Sequence, residues 1–223
     1  MARKSRIIIV GSGIVGASTA SHLAQLGWKD MVILDQGPLF ETGGSTSHAP
    51  GGVFQTNPSR MMCKFAQYTV DLLRSLSFEG KPCFHTVGGI EVSKTKERHQ
   101  DLYRKLGIAH SYGLTDAKII TPDEVLKMSP YIDPEKIHGG YYVPTDGLAA
   151  PVRAVRAMAK YVTDLKAGEF FGDTAVNGFK IQNNQIRGVQ TSKGDYEADI
   201  VLVSTGIWAP KMGRLANISL PLV

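Results

Sequence analysis

Arg6-Ile7-Ile8-Ile9-Val10-Gly11-Ser12-Gly13-Ile14-Val15-Gly16 decides the fold of this 223-residue chain. The β-branched run Arg6–Val10 reads as a buried strand that glycines end. Ile14 to Leu26 carries Ala, Leu and Val at helical spacing and stops at Gly27. Met31–Leu34 is a second apolar run, closed by Asp35. Strand, glycine turn, helix and strand within about thirty residues form a βαβ opening. Its glycines have separate tasks: Gly11 allows the tight turn, Gly13 lets the backbone approach a pyrophosphate, and Gly16 lets helix and strand pack closely. The helix then points free N–H groups and a positive dipole end at the phosphates. Asp35 lies nineteen residues past Gly16, where a carboxylate can take ribose hydroxyls. An acid there disfavours a 2′-phosphate and hence NADP, but does not separate NAD from FAD.

Composition narrows the class. With 43% hydrophobic and 20% charged residues the chain is globular, not a disordered tail or a coiled coil. The net charge of +5 is scattered, without a run of five basic residues, so no nucleic-acid partner is expected. Cys63 and Cys83 sit in no CxxC and lack a His at zinc spacing; no metal is expected, and buried free thiols are favoured over a disulfide. Met1–Arg6 looks like a charged leader, but the apolar run breaks at Gly11 with no cleavage site after it. No apolar run approaches the ~20 residues that span a bilayer, so no membrane partner is expected and the location reads as cytoplasmic.

Further along, residues 36–59 are rich in Gly, Ser, Thr and Pro and read as one long functional loop. Arg60–Leu76 reads as a helix with Phe65, Tyr68, Leu72, Leu73 and Leu76 on one side. Thr86–Val92 reads as a strand and Thr95–Leu106 as an exposed helix. A short helix lies between Pro122 and Pro130 with Thr121 as its N-cap, followed by a strand at Tyr141–Val143 and a helix at Pro151–Leu165. From Gly168 the texture changes to the alternating strands Thr174–Ile181, Ile186–Thr191 and Tyr196–Val203, with turn residues between them. Trp208–Leu215 starts a last helix. The long loop and this meander, closing on Ile200–Ser204 and Thr205-Gly206, favour FAD over NAD, because in FAD enzymes of the Rossmann type such a strand completes the nucleotide site and brings its glycine, here Gly206, near the cofactor.

Gly43-Gly44-Ser45-Thr46-Ser47-His48-Ala49-Pro50-Gly51, with Val53–Ser59, closely resembles the flavin loop of the dimethylglycine oxidase, dimethylglycine dehydrogenase and sarcosine dehydrogenase family. Val87–Val92 and Val143–Ala149 match as well, and the resemblance covers essentially the whole chain. It places the chain in the wider D-amino-acid-oxidase-like flavoprotein group. The fold it implies is α/β: a Rossmann-type FAD-binding domain with a β-meander and an inserted α+β segment, truncated before the rest of the substrate domain. The nucleotide-binding parts would be about 5–60 and 150–215, the insertion about 84–145.

The resemblance also implies roles. His48 would carry FAD covalently through the flavin 8α carbon, which suits a neutral imidazole nucleophile. Ile14 and Val15 would offer amides to the pyrophosphate, Asp35 and Gln36 would cover the ribose, and Ser45, Thr46 and Ser47 would line the approach to the ring. Val176 would meet the adenine through its backbone. Gly52 would stand near the flavin, at a position where relatives commonly carry a bulkier apolar residue. The remaining histidines (His22, His85, His99, His110, His138) read as surface or structural. The implied reaction oxidises an N-methylated glycine, hydride passing from the N-methyl carbon to flavin N5, and the resulting iminium yields formaldehyde or is trapped by folate. No residue of this chain is assigned as acid or base. By the resemblance, the carboxylate-binding part of the pocket would lie past Val223, so a C-terminal half or second subunit is the expected partner beside a small amine substrate; tetrahydrofolate is not expected on this chain. The alternative is a non-catalytic FAD-binding fragment.

Overall fold

The computed structural model describes residues 3–41 and 43–221. It opens with β1 (Arg3–Val10), α1 (Ile14–Gln25), β2 (Met31–Leu34), the single-turn α2 (Ser45–His48), β3 (Gly52–Val53) and α3 (Arg60–Ser75). Then come β4 (Ser77–Phe78), β5 (Lys81–Pro82), β6 (Phe84–His85), β7 (Gly89–Ser93), α4 (Lys96–Ser111), β8 (Lys118–Ile120) and α5 (Pro122–Met128). β9 (Gly139–Val143), β10 (Gly147–Ala149), α6 (Pro151–Asp164), β11 (Gly168–Phe171), β12 (Val176–Gln182), β13 (Gln185–Thr191), β14 (Gly194–Val203) and α7 (Ala209–Leu215) follow. Two compact units share the described residues: one takes them from Met1–Ala49, Ser77–Lys81 and Pro151–Val223, the other from Pro50–Leu76 and Pro82–Ala150.

The first unit is built on a six-stranded sheet in the order β11-β2-β1-β14-β13-β12. β1 runs parallel to both β2 and β14, and β11 runs parallel to β2, whereas β12, β13 and β14 form an antiparallel meander. Strands covered on both faces need apolar residues at every position, and all four residues of β2 are buried. Because successive side chains alternate across a sheet, Ile7, Ile9, Met31 and Ile33 join Ala20 and Ala24 of α1 and Val162 of α6 in one core. Ile8, Val10, Val32 and Leu34 join Val176, Val189 and Met212 in the other. The alanines let α1 lie close to the sheet. This is the α/β sheet with meander that the sequence implies.

The second unit carries two small antiparallel sheets, β7-β9-β8 and β3-β10-β6. Cys63, Leu102, Ala109, Tyr141 and Val143 form one core, and Ile120, Val125 and Ile137 a second. Both cysteines are buried free thiols. Among the described residues, no helix is long and apolar enough to cross a membrane.

Several local expectations need correction. The helix α3 buries Cys63, Val70 and Leu73, while Phe65 and Tyr68 stand 58% and 52% exposed. Residues 63, 70 and 73 share one face at helical spacing, so the inward stripe is narrow and the bulkier aromatics lie off it. The strand expected over Thr86–Val92 begins only at Gly89, as β7, because Gly88 takes φ +77° and donates its N–H to Asp146 O at 2.9 Å. The helix expected to end at Leu106 runs on to Ser111, carried by Ala109 in the core. The long loop holds α2 and β3, and β11 is an additional parallel edge strand.

Thr121 does cap α5: its Oγ1 accepts from Glu124 N at 3.3 Å, and Glu124 Oε2 accepts from Thr121 N at 2.8 Å. Thr121→Ala removes one arm of this reciprocal pair and should lower stability by about 1 kcal/mol, read as a shift of the urea midpoint with the m-value unchanged.

Candidate functional site

The glycine turn is held from three sides within the first unit. Gly11 N donates to Leu34 O at 2.7 Å, which ties the end of β1 to β2. On the other side Ser204, just past β14, donates its N to Val10 O at 2.8 Å and its Oγ to Val10 O and Gly11 O at 3.0 and 3.1 Å. Ser12, fully buried, donates both N and Oγ to Asp35 Oδ2, at 2.8 and 2.7 Å. Asp35 is itself fastened through its backbone, its N donating to Phe171 O and its O accepting from Thr174 N. The carboxylate expected to take ribose hydroxyls therefore also acts as the anchor of the turn.

Gly11 sits at φ +105°, and a Cβ there would lie 2.5 Å from Ser204 O. Gly16 is equally forced, by Gly11 O and by Ser204 Oγ at 2.8 Å. Gly13 is different. A Cβ there would meet only Thr46 Oγ1, at 3.1 Å; the backbone at Gly13 is kept bare toward open space, as close approach by a ligand requires. Thr46 Oγ1 accepts from Ile14 N at 2.9 Å. The other first-turn amides of α1 have no partner within the helix and supply the anion-binding end of its dipole.

These groups open onto a cleft of about 470 Å³. It is lined by Gly11, Gly13, Ile14 and Val15 of the turn, by Asp35 and Gln36, by Ser45, Thr46 and Ser47, and by Val176 and Gly206. Gly16 is not among its lining residues; it works behind the wall by letting α1 close on β1. His48 also lies off the lining: it is exposed at the end of α2, with Nδ1 3.2 Å from Gly44 O and 3.1 Å from Ser47 Oγ. A proton on Nδ1 shared with Gly44 O leaves the lone pair on Nε2. Gly52 belongs to β3 in the second unit and is not part of this lining.

The cleft includes residues that motif reading passed over. Ser12 is one. Thr205 is another: its Oγ1 is a buried polar atom without a hydrogen-bond partner, and the residue lines the cleft. Leaving a buried hydroxyl unmet costs on the order of 1–3 kcal/mol, so this atom marks where a polar ligand belongs. Trp208, on the short 3₁₀ turn Gly206–Trp208, packs where a Cβ on Gly44 would be 3.2 Å from its ring. Lys211 adds an ammonium to the lining. The available signal was topological: ligands bind beyond the carboxyl ends of parallel strands, and residues 204–208 follow β14 where it neighbours β1. The bare backbone at Gly13, the dipole end of α1 and the unmet Thr205 hydroxyl fit a dinucleotide-type cofactor such as FAD.

Comparison with known proteins adds the chemistry. A family model described as "DAO: FAD dependent oxidoreductase" matches residues 6–223. The mitochondrial sarcosine dehydrogenase of Mus musculus is 25% identical, over 98% of this chain and 24% of that protein. The mitochondrial pyruvate dehydrogenase phosphatase regulatory subunit of Mus musculus is 30% identical, over 98% of this chain and 25% of that protein. The mitochondrial dimethylglycine dehydrogenase of Rattus norvegicus is 29% identical, over 99% and 25% respectively. Among solved structures, L-proline dehydrogenase from P. horikoshii superposes with a TM-score of 0.87 at 28% identity, covering 98% of this chain and 57% of that one. The chain thus spans about a quarter of the length of these curated relatives.

Proposed function

The chain belongs to the DAO family of FAD dependent oxidoreductases, and from that premise we propose that it is the FAD-holding portion of an enzyme oxidising N-methylated amino acids of the sarcosine or dimethylglycine type. The observation that carries the cofactor assignment is the cleft, where a bare Gly13 backbone and an unmet Thr205 hydroxyl face one space. The substrate class takes its support from the matches to sarcosine and dimethylglycine dehydrogenases. Bound FAD would supply the two-electron acceptor for oxidation of a carbon next to the amine nitrogen. The residues of this chain would do the holding. The α1 amides and Lys211 would meet the pyrophosphate charge, Asp35 and Gln36 the ribose, and Val176 the adenine through its backbone. Gly206 leaves room for close approach, and Ser45, Thr46 and Ser47 line the approach to the ring.

Covalent attachment at His48 is part of the proposal, supported by the exposure of that residue and by the Nδ1 contacts that leave Nε2 available. In denaturing mass spectrometry, wild-type chain incubated with FAD should keep one flavin on the peptide bearing His48. His48→Ala should lose that adduct yet still take up FAD reversibly through the cleft. Complete release of flavin from denatured wild-type protein would remove the covalent claim, and failure to take up FAD in any form would remove the cofactor assignment for this chain.

A cytoplasmic location rests on the sequence reading alone, and cell fractionation with immunodetection tests it; the relatives named above are mitochondrial. A second reading, a non-catalytic FAD-binding subunit, is favoured by the match to a regulatory subunit. It predicts flavin uptake without bleaching by sarcosine or dimethylglycine.

A further inference from the structure

The second unit holds a cavity of about 380 Å³ that shares no lining residue with the FAD cleft. Its size suits a small organic molecule. Asp146, on the turn between β9 and β10, lies in its wall and is only 3% exposed. The side chain is fixed: Oδ1 accepts from Gln55 N and from Gln55 Nε2, each at 3.0 Å. Gln55 Nε2 donates to Thr145 Oγ1 as well, at 2.9 Å. The backbone of Asp146 is held too, by Gly88 N.

Oδ2, in contrast, accepts no hydrogen bond from any described residue. It stays uncovered because the neighbouring position is Gly89, where a Cβ would lie 2.8 Å from it. Oδ2 is open to the cavity, and a carboxylate held in so confined a space loses much of its hydration. Burial accordingly pushes the Asp146 carboxyl up from the usual carboxylate range, against the pull of its Gln55 hydrogen bonds and the Lys105 charge. A cation placed at Oδ2 would reverse that penalty.

The cavity offers the opposite charge as well. Lys105 lines it, pairs with Glu91, and stands 5.1 Å from the centroid of the Tyr141 ring. Glu91 pairs at the same time with Arg98, so the three side chains carry one positive charge in excess. Phe54 and Tyr141 add aromatic surface, and Thr56 Oγ1 and Tyr141 OH lie 2.7 Å apart. Aromatic faces attract N-alkylated ammonium groups.

We propose that this cavity binds a small zwitterionic amino acid, its protonated N-methylated amine against Asp146 Oδ2 and its carboxylate against Lys105. The choice of an N-methylated amine rests on the proposed function; the placement of the two charges rests on the cavity alone.

Calorimetric titration of the full chain with N,N-dimethylglycine tests this, with 3-methylbutanoate as the probe of equal shape that lacks the amine charge. Wild-type protein should bind dimethylglycine more tightly than 3-methylbutanoate. Asp146→Asn keeps an oxygen for both Gln55 donors but turns an N–H₂ toward the cavity. It should weaken dimethylglycine by about tenfold or more and leave 3-methylbutanoate unchanged. Lys105→Met should weaken both probes. Equal affinity of the two probes for the wild type, no binding to protein with an intact unfolding transition, or an unaltered Asp146→Asn variant would each overturn the proposal. Should Asp146→Asn fail to fold, the probe comparison on wild type and the Lys105→Met variant still decide. FAD uptake, followed by absorbance in the same samples, reports on the flavin reading separately: its loss with dimethylglycine binding retained removes that reading and leaves the cavity site standing.

Discussion

Gly16→Ala should abolish FAD uptake and lower stability far more than a methyl added at an open glycine of the first unit. The added Cβ would fall inside the contact radius of Gly11 O and 2.8 Å from Ser204 Oγ. Neither obstacle is the loose end of a flexible side chain. Gly11 O belongs to the turn, and Ser204 Oγ is spent on Val10 O and Gly11 O. To make room, α1 must move off β1, and the amides that face the cleft move with it. Overpacking of this kind costs about 1–3 kcal/mol and more where backbone is the obstacle. Gly27→Ala is the matched control. That glycine follows the other end of the same helix at positive φ, +83°, and a Cβ there meets nothing within 4 Å. It should show only the cost of strain, about 1 kcal/mol, with FAD affinity intact. Thermal melts and FAD titration of both variants check the pair; equal behaviour would show that close packing at Gly16 is not what shapes the site.

Asp35→Ala should be the next most damaging change, for a different reason. It strips the acceptor from two donors of a fully buried serine, Ser12 N and Oγ. Each orphaned donor costs on the order of 1–3 kcal/mol, so a loss of about 2–5 kcal/mol is expected, enough to unfold a marginal domain. Asp35→Asn separates anchoring from charge. Its one oxygen has lone pairs for both Ser12 donors, so the turn should survive, while a ribose would meet a neutral amide in place of a carboxylate. The expected order of stability is wild type, then Asn, then Ala, with FAD affinity already reduced in the Asn variant. An Asp35→Ala protein as stable as wild type, judged by chemical denaturation, would mean that Ser12 finds another acceptor.

How far these positions could be read from the chain alone varies with the kind of signal they leave. The β1-turn-α1-β2 opening is legible because every residue in it obeys one strong rule: apolar where both faces are covered, glycine where backbone meets backbone. The meander is legible from its turn residues, Asn183-Asn184 and Lys193-Gly194-Asp195. β11 is not, since Gly168-Glu169-Phe170-Phe171 has neither alternation nor β-branched residues, and it is a strand because β2 offers it a free edge. Phe65 and Tyr68 mislead for the converse reason: size and hydropathy suggest an inward face, but the neighbouring core is filled through Cys63 and Leu102. At the site, glycines and the acid at the end of β2 announce themselves by spacing. Ser12 and Thr205 are ordinary residues whose importance comes from being buried next to something else, and no one-dimensional pattern records that.

The pairing of β1 with β14 also bears on how the chain is made. Ile9 lies beside Leu202, and Val10 beside Val203, so the centre of the sheet joins segments separated by nearly the whole described chain. At a translation rate of about 5–20 residues per second, β1 waits roughly 10–40 s for that neighbour. Throughout that interval Ile7–Val10 is a bare, sticky ribbon with one side unclaimed. The intervening second unit, with local antiparallel pairings such as β7 with β9 and β8 with β9, is complete on the ribosome well before then. The topology therefore predicts biogenesis from the middle outward, with the nascent nucleotide fold a client for whatever shields apolar segments during synthesis.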